Sequence, residues 1–198
     1  MKRMHLFLIS ALMLLSFSGC EKEELQDLSS GPGATKYYLV GDNEKIFLYE
    51  IVGKFVVQLD TTQVFKTILR KLMENPEIEY INTFDEEDYL VIVKSKLSLR
   101  KIKRQPTIIN AMPAYSMDGV MPTYLNGDLL LGLKKGCSID DVRHVFKRKA
   151  VVKSEGGYDN YTLQVKDWEK IFDLSNTLHN HEKVSYCQPD MTANFVPF

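Results

Sequence analysis

Residues Lys54 to Ala114 and Asp128 to Ala193 read as one unit written twice, in the order strand, helix, strand, strand, helix, strand. In the first copy Phe55-Val56-Val57-Gln58-Leu59 suits a buried strand and leads into Asp60-Thr61-Thr62, a helix start. Val64, Phe65, Ile68, Leu69 and Leu72 then recur at the three-and-four spacing of one helical face, and Asn75-Pro76 stops them. Ile78 to Phe84 and Tyr89 to Val93 are strands about the acidic turn Asp85-Glu86-Glu87-Asp88, Leu97 and Ile102 mark a short helix, and Thr107 to Met112 closes the unit. The second copy opens on Leu129 to Leu133, and Ser138 with Asp141 forms a capping pair ahead of Val142, Val145 and Phe146. Val151-Val152 and Tyr161 to Val165 flank Gly156-Gly157, Trp168 to Leu178 is an amphipathic helix, and Val184 to Cys187 is the last strand. A shift of 77 residues lays Thr61 on Ser138 and Phe65 on Val142.

This order predicts an α+β protein of two tandem ferredoxin-like (βαββαβ) units, each an antiparallel sheet with its helices on one face. Tyr37 to Val40 and Lys45 to Tyr49, around Gly41-Asp42-Asn43, predict a β-hairpin ahead of them. The expected division is 1–19 as a signal peptide, 20–36 as a flexible tether, 37–119 as the hairpin with the first unit, and 120–198 as the second unit with a tail. Each unit leaves one sheet face uncovered, and that face needs a partner.

Lys2 and Arg3 precede an apolar run from Leu6 to Leu15. At about 1.5 Å per residue it spans roughly half of a ~30 Å hydrocarbon core, so it reads as an export signal rather than a membrane helix. Phe17-Ser18-Gly19-Cys20 resembles the lipobox of bacterial lipoproteins, with Phe17 where that family usually has Leu. The resemblance implies that Cys20 is acylated, becomes the first residue of the mature chain and anchors it to a membrane, which places the protein in the cell envelope as an outer-membrane lipoprotein. Glu21-Lys22-Glu23-Glu24 resembles the surface-export signal of lipoproteins in some anaerobic Gram-negative bacteria; its plain reading is a solvated tether.

With 25 basic and 26 acidic residues the chain offers no broad attraction for nucleic acid. His179-Asn180-His181 is the nearest thing to a metal motif, but residues two apart on a helix face different ways, so no metal is expected. Neither a Gly-x-Ser-x-Gly frame nor a nucleotide-type glycine loop is present, and no cofactor or catalysis is expected. Cys137 and Cys187 fall at opposite sheet edges in this topology, beyond the ~7 Å Cα reach of a disulfide, so both should be free thiols. Lys94, Lys96, Arg100, Lys101, Lys103 and Arg104 concentrate on the short second helix, as a solvated surface or as a face for an acidic partner or lipid headgroups.

Tyr37-Tyr38, Gly41, Glu44 to Leu48, Asp128 to Gly136, Tyr161 to Val165, Leu174 to Leu178 and Val184 to Asp190 together resemble the amino-terminal prodomain of subtilisin-like serine peptidases found in some Gram-negative anaerobes. Tyr186-x-x-Pro189-Asp190 is the most telling segment. The resemblance implies a sheet face that packs on the peptidase and a carboxyl-terminal tail that threads its cleft as a product-like inhibitor. Met191, Thr192, Ala193, Asn194, Phe195, Val196, Pro197 and Phe198 would be that tail. No peptidase Asp, His or Ser accompanies it, so the implied function is non-catalytic: inhibitor or folding helper of a subtilisin-like peptidase encoded elsewhere. The alternatives are a structural or adhesive surface lipoprotein, and a small-molecule sensor with its pocket at the repeat interface.

Overall fold

The structure, a computed structural model, describes residues 35–119 and 121–193. In chain order the elements are β1 (Thr35–Val40), β2 (Glu44–Leu59), α1 (Phe65–Met73), β3 (Ile78–Asp85), β4 (Leu90–Ser95), α2 (Leu99–Ile102), β5 (Ile108–Ser116), β6 (Pro122–Leu133), α3 (Ile139–Phe146), β7 (Ala150–Gly156), β8 (Asn160–Val165), a 3₁₀ turn (Trp168–Lys170), α4 (Ile171–His179) and β9 (Val184–Ala193). Among the described residues no helix is long and apolar enough to cross a membrane.

The expectation of two ferredoxin-like units is overturned. Half of the structure is strand and about a fifth helix, and all nine strands belong to one antiparallel sheet curled into a half-barrel. Its neighbours run β3-β4-β2-β5-β6-β8-β7, with β1 added to β2 and β9 added to β6. Two long strands cause the fusion. β2 runs for 16 residues, so the segment that pairs with β1 continues directly into the one that pairs with β4 and β5, and the hairpin is no separate flap. β6 runs for 12 residues, and its start pairs with the end of β5 through Tyr115↔Thr123 and Ser116↔Pro122. Strand edges that would otherwise end in water are thereby paired, which satisfies their backbone groups.

Period-two alternation decides the faces. In β4, Val91 and Val93 join Phe55, Val57, Leu59 and Ala111 beneath Phe65, Ile68 and Leu72 of α1 and Ile102 of α2. Leu90 and Ile92 point the other way, into a larger core with Val56, Met112 and the buried residues of the second half. That core takes Leu129, Leu131, Leu133, Leu163, Val165 and Cys187 from the sheet, and Val142, Phe146, Leu174 and Leu178 from α3 and α4. The helix predicted from Asp60 starts later, at Phe65; Asp60 instead accepts the Thr62 N–H at 2.9 Å in a local turn. The Ser138–Asp141 pair forms, its carboxylate accepting the Ser138 N–H at 2.8 Å.

A glycine is required where β6 bends. Gly127 has φ +88°, and a Cβ there would lie 2.1 Å from Trp168 Nε1. Trp168, only 2% exposed, packs over this backbone, and no other residue leaves it room.

Candidate functional site

The two halves treat their second sheet faces differently. In the first half the middle of that face carries Val56, Leu90, Ile92 and Met112, each at most 2% exposed, with half-buried Gln58 and Asn110 and exposed Lys94 toward its margins. In the second half the registers Asp128↔Gln164, Leu130↔Thr162, Leu130↔Gln188 and Gly132↔Tyr186 put those side chains on the face opposite α3 and α4. Leu130, Thr162, Gln164 and Gln188 are half-buried there and Tyr186 is 36% exposed. A shallow dimple of about 130 Å³ lies among Leu130, Ser154, Gly156, Asn160, Thr162 and Tyr186. Tyr186 Oη donates to Asn160 Oδ1 at 2.8 Å. Gly132 lets the ring lie flat, since a Cβ would meet Tyr186 Cε1 at 2.1 Å. This is a mixed surface, with Leu130 and the Tyr186 ring set among hydrogen-bonding Ser154, Asn160, Thr162, Gln164 and Gln188.

One end of that face is closed by charge. Asp128, 2% exposed, accepts from Lys153 Nζ at 3.0 Å, and the same ammonium reaches Asp88 Oδ2 at 2.5 Å. Asp88 sits in the β3–β4 turn, so Lys153 straps the two halves together. Burial raises the Asp128 pKa above the usual carboxylate value; the Lys153 hydrogen bond and charge oppose this, while Asp88 and Asp190 add to it. For Lys153, burial opposes the charged form, but the hydrogen bonds to Asp88 and Asp128 outweigh it and the pKa rises. Asn126 links the cluster onward, accepting the Asp128 N–H at 2.9 Å and donating to Asp190 Oδ2 at 2.7 Å. Asp128 Oδ1 is buried with no hydrogen-bond partner among the described residues.

A larger open groove, about 960 Å³, lies within the first half rather than at the repeat interface. Val52, Phe55 and Leu97 give it apolar walls, and Glu50, Glu77, Glu79, Lys94 and Lys96 a charged rim. It opens where β2 bulges: Ile51, Val52 and Gly53 fall between the β1 and β4 registers and inside the register shift against β5. Glu50, half-buried, has its pKa raised by burial, with Lys36 acting the other way. Ser95, which lines the groove, donates to the Glu77 carbonyl at 2.6 Å and accepts the Leu97 N–H at 3.1 Å.

The expected tail is divided. Met191 pairs with Leu125 and packs against the core, and Thr192 and Ala193 pair with Tyr124 and Thr123 as the end of β9. Asn194, Phe195, Val196, Pro197 and Phe198, like Cys20, lie outside the described residues. Cys137 and Cys187 are free, and burial pushes the Cys187 thiol up to about 12. His144 and His181 meet edge to face with ring centroids 5.7 Å apart, His179 Nε2 meets the Gly41 carbonyl at 3.2 Å, and no metal-binding group of three ligands occurs among the described residues. The Asp88–Lys153–Asp128 strap was not foreseen, because its members lie 65 and 25 residues apart and no local pattern links them. Comparison with protein-family models, with curated proteins and with solved structures finds no match.

Proposed function

We propose that the chain is a non-catalytic lipoprotein of the cell envelope, anchored through an acylated Cys20, that holds a subtilisin-like serine peptidase in the manner of a prodomain. The observation that carries this reading is the open sheet face of the second half, from Leu130 to Tyr186, next to β9, the strand that leads into Asn194–Phe198. The middle of the corresponding face of the first half, at Val56, Leu90, Ile92 and Met112, is buried, so a partner of this kind docks on the second. Extended-strand capture fits the site: main-chain bonds along a strand give affinity, and shallow side-chain sites give selectivity. Inhibition and assistance in folding use the same contact, and differ only in whether the peptidase is already folded.

The test is an inhibition assay with the mature chain and a subtilisin-like peptidase from the same envelope. Removing 194–198 leaves every β6–β9 pair in place and should abolish inhibition with an unchanged melting temperature; removing Met191 to Ala193 as well would cut the sheet itself. Full inhibition by the shortened chain would defeat the tail assignment. Failure of the intact chain to bind any such peptidase would leave the second reading, a structural or adhesive lipoprotein.

A further inference from the structure

The cations between Lys94 and Arg104 are sorted by the fold. Lys94 is paired to Glu79 at 3.6 Å, and Lys103 turns toward the second half, 3.6 Å from Asp167 and 2.8 Å from Glu169. Lys96, Arg100, Lys101 and Arg104 are exposed and form no ion pair among the described residues.

The first helix adds to them. Phe65, Ile68 and Leu72 are its buried side, so Lys66, Arg70 and Met73, spaced by four and three, form its outward stripe. Lys71 stands beside that stripe and donates to Gln63 at 2.7 Å. Both helices cover one core cluster, and Asn75 Nδ2 donates to Gln105 Oε1 at 3.0 Å, which ties the segments after them together. The result is one predominantly basic side, with Asp60, which lies near Lys71, and Glu74 and Glu77 as its nearby carboxylates. It also exposes apolar groups, Val64 at 70% and Met73 at 53%.

The chain enters the body beside this side. β1 begins at Thr35 against Tyr49, and the next residue of β2, Glu50, lines the groove together with Pro76 and Lys96. Between Cys20 and Thr35 lie 14 residues, a span of at most about 50 Å. An acyl chain on Cys20 would therefore hold the body within that distance of a bilayer.

We propose that the basic side of α1 and α2 docks on the anionic headgroups of a lipid leaflet. Cations next to an anionic leaflet each strengthen partitioning about fivefold, and exposed apolar groups among them enter the headgroup boundary. An acyl anchor combined with a basic surface is the two-signal arrangement that makes membrane attachment stable. The proposal rests on the lipoprotein reading only for what brings the surface near the membrane.

The test uses the mature chain from residue 20, which contains every described residue, made without lipid and mixed with vesicles. With about 30% phosphatidylglycerol in phosphatidylcholine it should sediment with the vesicles, stay free of pure phosphatidylcholine, and be released by about 0.5 M salt. Arg70→Glu with Arg100→Glu and Arg104→Glu should weaken partitioning at least about a hundredfold. A control of equal charge change, Lys147→Glu with Arg148→Glu and Lys149→Glu in the second half, should alter it by less than about threefold. If charge reversal lowers the melting temperature, the three Arg→Gln changes take its place. Equal loss in the control, equal binding to neutral vesicles, or no binding at all overturns the proposal. Because the chain carries no lipid here, these outcomes are separate from those of the anchor, which the mass of Cys20 in the native protein decides.

Discussion

Lys153 Nζ stands 3.0 Å from Asp128 Oδ2, reaching across β8 to neutralise a carboxylate that is only 2% exposed. Removing the ammonium alone leaves that carboxylate buried and unpaired. Lys153→Met should therefore destabilise by about 2 kcal/mol, below the 3–5 kcal/mol range for fully buried pairs because the lysine is about one-third exposed. Adding Asp128→Asn should recover much of the loss. Urea unfolding of the single and double variants measures both, and additive losses would show that the pair is not coupled.

Asp141 sets an acid limb of stability. Its carboxylate accepts from Lys183 at 2.7 Å and from the Ser138 N–H, and these hydrogen bonds hold its pKa down at about 2 from an ordinary 3.8. Its folded value lies below its unfolded one, so its contribution is present above 3.8 and is lost as pH falls toward 2. Asp128, raised by burial, has the opposite sign: its ionisation opposes folding at neutral pH, and this is relieved as pH falls through its folded value. Melting temperatures from pH 5 to pH 2 should fall less steeply in Asp141→Asn than in the parent; identical slopes would refute the assignment.

Gly127→Ala forces a Cβ to within 2.1 Å of the Trp168 ring at a φ of +88°. Left-handed strain and overpacking together should cost about 2–4 kcal/mol. Trp168 is the chain's single tryptophan, so its fluorescence reports the displacement directly.

Asn176 acts as a short surrogate strand on β1: its Oδ1 accepts the Leu39 N–H at 2.9 Å and its Nδ2 donates to the Tyr37 carbonyl at 3.2 Å. Asn176→Ala should cost about 1–2 kcal/mol. Hydrogen exchange at the Leu39 amide should accelerate selectively, whereas a uniform rise across the sheet would point to global destabilisation instead.

In native protein a thiol reagent should label the half-buried Cys137 and spare Cys187, which is fully buried and holds its thiol up at about 12. Rapid labelling of Cys187 without denaturant would contradict its place in the core.

Local chemistry made most elements legible. The turn at Gly41-Asp42-Asn43 forms, with Gly41 and Asn43 at positive φ, and alternation in Leu90 to Val93 locates β4 and its two faces. The ends were harder to read. Asn126-Gly127 and Pro189-Asp190 look like breaks, yet β6 and β9 run through them, because a bulge absorbs the irregularity between the pairs Leu125↔Met191 and Leu129↔Pro189. The candidate interface was legible only as one uncovered sheet face in each unit, in need of a partner. Which half kept its face open was not.

The sequence by itself determined the helix and strand periods, the duplicated order of elements, the opening hairpin and the near-neutral charge, since each follows from neighbours a few residues apart. Only the tertiary structure decided that nine strands fuse into one curled sheet, that the middle of the second face is buried in the first half and half-open in the second, and that Asp128 meets Lys153 and Asp88. Pairing edges and burying charge depend on contacts across tens of residues, and no local pattern carries that information.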